Sequence, residues 1–325
     1  MSEMFFSHAI RAALEEEMER DPSVILLGED IAEYGGAFKL TAGIVERFGP
    51  ERVLNTPISE GGFVGVAVGA AMTGLRPVVE IMFMDFISLA VDQLVNHAAK
   101  FHYQFGEQCR IPLVVRCPSG AGRGYGPTHS QSLERWFMST PGIIVAAPAS
   151  PHDAKGMLKS AIRSDSPVVL LESKILYGRR GEVPEGDYLV PLGEARIARE
   201  GDAVTILTYS RMVEESLKAA EALVEHGVEA EVVDLRTLAP LDVETIRASV
   251  EKTGRVVVVE EGTFTGGVGA ELVARVVGEC FDYLQAPPKR VAAADCPVPS
   301  SRILEQAVIP DYRTIAQAVA EVVGY

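Results

Sequence analysis

Short apolar runs alternate with longer stretches of mixed character along most of the chain. Val24-Ile25-Leu26-Leu27 and residues 77–83, 112–116, 142–147 and 167–172 are apolar with little alternation. Strands of this kind are covered on both faces, as in a parallel sheet. Residues 7–19, 85–103 and 152–163 carry apolar positions at helical spacing. A second block repeats the scheme, with strands predicted at 203–208, 230–235 and 255–260. Helices are predicted there at 213–226, 242–253, within 266–280, and at 314–323. Residues 178–193 hold Gly, Pro and charges with no period and read as a joint. The expected fold is therefore α/β, two parallel-sheet sandwich domains at 1–185 and 186–325.

One position breaks the pattern. Glu60 precedes Gly61-Gly62-Phe63-Val64-Gly65-Val66-Ala67-Val68-Gly69-Ala70-Ala71, a run with no other charge. Pro57 and Ser59 mark a loop before it, and the small residues after it predict a closely packed helix. A carboxylate at the mouth of such a helix is costly unless something nearby needs it. Gly65 and Gly69 permit close helix contact, either in the core or at a subunit interface. Gly28-Glu29-Asp30 ends the first predicted strand. Two carboxylates there are often only solvated, but if Glu29 approaches Glu60 their proton affinities couple.

Residues 117–132 form a second candidate. Cys117-Pro118-Ser119-Gly120-Ala121-Gly122-Arg123-Gly124-Tyr125-Gly126-Pro127-Thr128-His129-Ser130-Gln131-Ser132 follows a strand. Sites of open α/β sheets lie beyond strand carboxyl ends, where His129 is placed to carry protons. A surface histidine in a flexible loop is the equally open reading. Gly266-Gly267-Val268-Gly269 does not fit a dinucleotide finger and reads as a tight strand-to-helix turn. Signatures of P-loop, zinc-protease and serine-hydrolase chemistry are absent.

Composition narrows the classes. The 325 residues suffice for two domains, and 47% apolar with 23% charged residues suits a full core. No apolar stretch reaches the roughly 18–20 residues that span a bilayer, so no membrane segment is expected. The first residues lack a basic n-region, so no signal peptide is expected and the expected location is cytoplasmic. Cys109, Cys117, Cys280 and Cys296 form no Cys-x-x-Cys pair and suit reduced core residues. The net charge of −15 argues against nucleic acid as a partner. It is uneven: residues 193–325 carry 13 Lys+Arg against 22 Asp+Glu. That imbalance fits either solubility or a docking surface for a basic partner.

Together these segments resemble a known family, the β subunits of the thiamine-diphosphate-dependent component of 2-oxo acid dehydrogenase complexes. The resemblance runs nearly end to end. It rests on Leu26-Leu27-Gly28-Glu29-Asp30, Thr56-Pro57-Ile58-Ser59-Glu60, Gly74-Leu75-Arg76-Pro77, Asp92-Gln93, Ala98-Ala99-Lys100 and His129-Ser130-Gln131-Ser132. Further on come Asp153-Ala154-Lys155-Gly156, Leu176-Tyr177, Asp234-Leu235-Arg236-Thr237 and Ala286-Pro287-Pro288. The resemblance implies a transketolase-like pair of domains, a pyrimidine-binding domain followed by a transketolase C-terminal domain.

It also implies residue roles. Glu60 matches the glutamate that hydrogen-bonds N1′ of the aminopyrimidine. An acid there favours the 4′-imino tautomer, whose nitrogen takes the proton from thiazolium C2. Phe86 matches an aromatic packed on that ring, Ile58 a backbone contact to it, and Glu29 a carboxylate lining a polar path between two active sites. His129 matches the histidine handling protons as the acyl group passes to a lipoyl arm. Potassium is implied at the backbone carbonyls of Leu113, Ala161, Ile162, Ser164 and Ser166, although family members commonly carry Asp and Asn at the last two positions. Asp295 and the terminal carboxylate of Tyr325 match positions docking the basic subunit-binding domain of a dihydrolipoyl acyltransferase, whose lipoyl domain is the acyl acceptor. The chain has no Gly-Asp-Gly. The magnesium that anchors the diphosphate is therefore expected on an α subunit, in an α/β heterotetramer. Phe86 and the single His129 lean toward a pyruvate substrate, with acetoin and then branched-chain 2-oxo acids as alternatives. Half of a split transketolase and a non-catalytic scaffold are the readings from other classes.

Overall fold

The computed structural model describes residues 1–324. The backbone packs as two units. Met1–Ser119 with Trp136–Leu192 forms the first; Gly120–Arg135 with the chain from Gly193 onward forms the second. The glycine-rich segment thus belongs to the second unit, which a single cut after residue 185 does not describe.

The strands of the first unit are β1 (Ser2–Phe5), β2 (Val24–Gly28), β3 (Val53–Asn55), β4 (Arg76–Glu80), β5 (Val114–Ser119), β6 (Ile144–Ala146), β7 (Val168–Ser173) and β8 (Arg180–Val183). Its helices are α1 (Phe6–Arg20), α2 (Ile44–Phe48), α3 (Glu60–Met72), α4 (Phe101–Gln104) and α6 (Pro151–Arg163); α5 (Glu134–Met138) straddles the division. Six strands form a parallel sheet in the order β6-β7-β5-β4-β2-β3. Val78, Val114 and Val168 stand in register across its centre, all buried. β1 and β8 make a separate antiparallel ribbon at the N-terminus and in the joint, where no strand is predicted. α1 buries Phe6, Ala9, Ile10, Ala13, Leu14 and Met18, the stripe that predicted it. α6 starts where Ser150 accepts the Asp153 N–H and Pro151 fills the first turn, where a missing N–H is tolerated.

The helix predicted at 85–103 is not continuous. It is a 3₁₀ segment at Met84–Ala90, a π segment at Gln93–Ala98, and then α4. The Ser88 hydroxyl donates to the Asp85 carbonyl, turning a local side chain against the regular ladder. Breaks of this type recur at functional sites. Gly65 lies close to Gln93 of the π segment: a Cβ there would be 3.4 Å from Gln93 Oε1, whereas Gly69 faces open space.

The second unit contains β9 (Arg196–Arg199), β10 (Val204–Thr208), β11 (Ala230–Asp234), β12 (Thr237–Ala239), β13 (Val256–Thr263) and β14 (Lys289–Ala293). Its helices are α7 (Met212–Val224), α8 (Val243–Thr253), α9 (Val268–Cys280), α10 (Arg302–Val308) and α11 (Tyr312–Val323). The sheet order is β14-β13-β10-β11-β9, and β9 runs antiparallel. The sheet is parallel, as expected, except at this edge. β9 and β14 went unread because both are edge strands carrying Arg or Lys, which protects an open edge. Among the described residues no cysteine forms a disulfide; Cys117 and Cys280 are buried, but Cys296 is exposed rather than in the core. Among the described residues, no helix is long and apolar enough to cross a membrane.

Candidate active site

β2 delivers Glu29 to the carboxyl edge of the first unit's sheet, and Asp30 turns the chain there with a left-handed φ of 53°. The following loop delivers Glu60 as the first residue of α3. Glu60 is 5% exposed, and among the described residues nothing hydrogen-bonds its carboxylate. The α3 N-terminus offers it a favourable dipole. Glu29 is also buried, and its Oε1 has no hydrogen-bond partner. Burial first, then the charges of Glu60 and Asp30, push the Glu29 carboxyl up to about 7. Glu60 thus adds to the raising of Glu29, second to burial. Two buried carboxylates therefore share one edge of the sheet, and Glu29 keeps an oxygen without a hydrogen-bond partner.

An aromatic series lies on the same unit. Phe86 meets Phe83 edge-to-face at 6.1 Å, Phe83 meets Phe38 at 5.6 Å, and Phe38 meets Tyr177 at 5.2 Å. The buried Lys174 ammonium stands 5.5 Å from the Phe83 ring centroid. Ile58 is 83% exposed, so its side chain makes no part of the core.

Beneath this edge is an ion cluster that sequence reading missed. Arg116 Nε and Nη2 donate to Glu172 Oε1 and Oε2 at 2.8 and 2.7 Å, and Nη1 pairs with Glu80. The Tyr177 hydroxyl donates to Glu172 Oε2 at 2.7 Å. Burial opposes the guanidinium's charge, but Glu172 and Glu80 outweigh it and raise its pKa. Burial raises the Glu80 carboxyl against the opposing pull of Arg116. The available signal was an arginine inside an otherwise apolar strand, Val114-Val115-Arg116-Cys117.

The other predicted residues are dispersed. His129 belongs to the second unit, where its Nδ1 lies 3.0 Å from the Thr128 hydroxyl and its N–H donates to the Gly126 carbonyl. Asp295 is exposed, its oxygens accepting the Thr265 N–H at 2.8 Å and hydroxyl at 2.6 Å; these bonds hold its carboxyl below the usual range. Tyr325 lies outside the described residues. The five carbonyls expected around potassium each already accept a protein donor. Leu113 accepts from Val168 N–H, Ala161 from Ser164 N–H, and Ser166 from the Ser164 hydroxyl. Ile162 and Ser164 accept from Arg76 Nη1 at 3.0 and 2.9 Å. Positive charge is therefore already supplied to two of them.

A second acid cluster, also missed, sits in the second unit. Glu134 is buried and accepts the Tyr209 hydroxyl at 2.6 Å. Burial pushes its carboxyl up to about 7; the Tyr209 bond opposes this, and Glu260 and Glu261 reinforce it.

The transketolase pyrimidine-binding domain model matches residues 2–180, and the transketolase C-terminal domain model matches 193–315. The pyruvate dehydrogenase E1 component subunit beta-1, mitochondrial, of Arabidopsis thaliana is 48% identical over 97% of this chain and 88% of its own length. The subunit beta of Rickettsia felis is 48% identical over 98% and 97%, and that of Porphyra purpurea 46% over 100% and 98%.

The chain belongs to the pyruvate dehydrogenase E1 β-subunit family.

Among solved structures, a split-gene transketolase described as an inactive beta4 tetramer superposes with a TM-score of 0.81 at 24% identity, covering 98% of each chain. A transketolase mutant from Pichia stipitis gives 0.74 at 17%, covering all of this chain and 46% of its own. At these identities they establish the family's transketolase-like fold and nothing finer. The two matched domain models leave residues 181–192 between them, inside the stretch read as the joint.

Proposed function

We propose that this chain is the β half of a thiamine-diphosphate-dependent pyruvate dehydrogenase, decarboxylating pyruvate and passing the acyl group to a lipoyl arm. The observation that carries this is Glu60, buried at the head of α3 with no hydrogen-bond donor on its carboxylate among the described residues. A carboxylate so placed fits an aminopyrimidine nitrogen, which supplies the missing proton-sharing partner. Phe86, held edge-to-face by Phe83, presents a ring for offset stacking, and Ile58 offers backbone polar groups beside Glu60. When bound, thiamine diphosphate supplies the carbanion and the electron sink for loss of carbon dioxide. Glu60 holds the proton at the ring nitrogen. Glu29, raised to about 7, is able to hold or release a proton beside it near neutral pH. His129 is proposed to handle protons in acyl transfer.

The proposal includes an α subunit carrying the magnesium and diphosphate contacts, because this chain lacks Gly-Asp-Gly. It also includes docking of a basic subunit-binding domain near Asp295, potassium beside the Leu113–Ser166 carbonyls, and a cytoplasmic location. The names of the relatives favour pyruvate over acetoin or branched 2-oxo acids. The test is reconstitution with an α subunit bearing Gly-Asp-Gly, assayed with pyruvate, acetoin, a branched 2-oxo acid and a ketose phosphate. Pyruvate turnover that needs both chains is expected. Turnover of the sugar phosphate alone, or by the β chain alone, overturns the reading.

A further inference from the structure

Residues 120–126 follow a regular scheme in which every second residue is Gly with positive φ. The values are +80° at Gly120, +102° at Gly122, +71° at Gly124 and +79° at Gly126. Such alternation turns successive N–H groups to one side and makes a concavity for negative charge. In this chain the concavity is filled by two carboxylates. Glu305 Oε1 accepts the Gly122 N–H at 2.8 Å, and its Oε2 accepts the Gly124 N–H at 3.0 Å. Glu261 Oε1 accepts the Ala121 N–H at 2.6 Å and is also paired with Arg211 at 3.1 Å. Glu305 is 2% exposed. Each of these is a charge-assisted bond to a backbone donor, about twice as strong as a neutral one.

The fit leaves no room for adjustment. A Cβ at Gly120 would meet both Glu261 oxygens at 2.8 Å, and one at Gly126 would meet Ser300 Oγ at 2.4 Å. The Gly120 N–H closes the segment onto the Gln131 carbonyl at 3.2 Å. Gly126 in turn accepts the His129 N–H. The chain from Glu305 and Ser300 to His129 is therefore continuous within one unit.

We propose that Glu305 and Glu261 are positioning residues that fix the His129 loop for acyl transfer to the lipoyl group. This rests on the reading of His129 given above. In that step the lipoyl disulfide breaks. The acyl carbon's electron pair opens that disulfide: one sulfur bonds the carbon, the other leaves as a thiolate and takes a proton from His129, and the carbon then parts from its donor as its hydroxyl proton is lost. Loss of carbon dioxide occurs earlier and does not need this proton. Loosening the loop should thus slow transfer while sparing decarboxylation.

The test uses the reconstituted α/β enzyme with two readouts, pyruvate decarboxylation coupled to an artificial redox dye and reductive acylation of free lipoamide. Glu305→Gln keeps one acceptor and turns an NH₂ against the other backbone donor. Lipoamide-linked turnover is expected to fall about 10- to 100-fold, equivalent to losing one charged hydrogen bond, with dye-linked turnover within about threefold. Glu305→Asp should recover part of the loss. Gly120→Ala, which reaches the loop from the opposite side, should give the same split and faster proteolytic cleavage between residues 120 and 132. An equal fall in both activities, or an unchanged lipoamide rate in Glu305→Gln, overturns the proposal. Absence of dye-linked decarboxylation in the unmodified enzyme would instead overturn the reading of the active site.

Discussion

Both units bury carboxylates, and Glu29 and Glu60 of the first contrast with Glu305 of the second. In the second unit, Glu305 and Glu261 accept backbone N–H groups at 2.6–3.0 Å. In the first, among the described residues, Glu60 has no donor and Glu29 keeps one oxygen without a hydrogen-bond partner. A buried carboxylate with its bonds made stabilises a loop, whereas one without them costs stability and marks a place where a ligand completes the bonding. The first unit also shows the satisfied kind a few residues away, in the cluster of Arg116, Glu80, Glu172 and Tyr177. Bond satisfaction, rather than burial, therefore separates scaffold from site.

Mutation can break this contrast at several points. Arg116→Met should have the largest effect. It leaves Glu80 and Glu172 buried without their cation, a loss of about 3–5 kcal/mol by denaturant unfolding. A loss under about 1 kcal/mol would show that the cluster is not a scaffold. Glu60→Gln comes next. Pyruvate turnover of the reconstituted enzyme should fall on the order of 10²-fold, about 2.7 kcal/mol, as for other positioned acid–base groups. The midpoint of thermal unfolding should hold or rise, because no protein bond to that carboxylate is lost. A fall in stability with activity intact would reverse its assignment.

An effect of comparable size is expected from Glu134. Its carboxyl is raised from 4.5 to about 7, so its contribution to stability is fully present below about 4.5 and lost as pH rises through about 7. The unmodified chain should lose stability from about pH 4.5 to about pH 7, and Glu134→Gln should lose about 3 kcal/mol less over that interval. Parallel curves would mean that Glu134 does not titrate there. The smallest effect concerns potassium. Arg76 already supplies charge to the Ile162 and Ser164 carbonyls, so replacing potassium by sodium should move the unfolding midpoint by no more than about 2 °C. A larger shift would show that the ion, not Arg76, holds that cluster.

Most strands and helices were legible from periodicity, because a strand covered on both faces must be apolar and an amphipathic helix must carry a stripe. The misses have common causes. β9 and β14 are edge strands with charged residues, and 85–103 carries a helical pattern that local hydrogen bonding divides. Glu60 stood out because it is the one charge in an apolar run. Arg116 stood out as well, but its partners Glu80 and Glu172 lie 36 and 56 residues away. Nothing local in the sequence pairs them. Glu305 had no signal at all, since its partners are backbone amides.

The sequence by itself determined the α/β architecture, the joint near 178–193, the loop bearing His129 and the carboxylate at the head of α3. Each follows from local composition, where periodicity and turn chemistry act over a few residues. Only the tertiary structure decided which carboxylates are satisfied. Glu60 and Glu305 are both glutamates in the first turn of a helix, and both are buried. What distinguishes them is whether distant segments turn backbone donors toward them, and that is set by how the chain closes on itself.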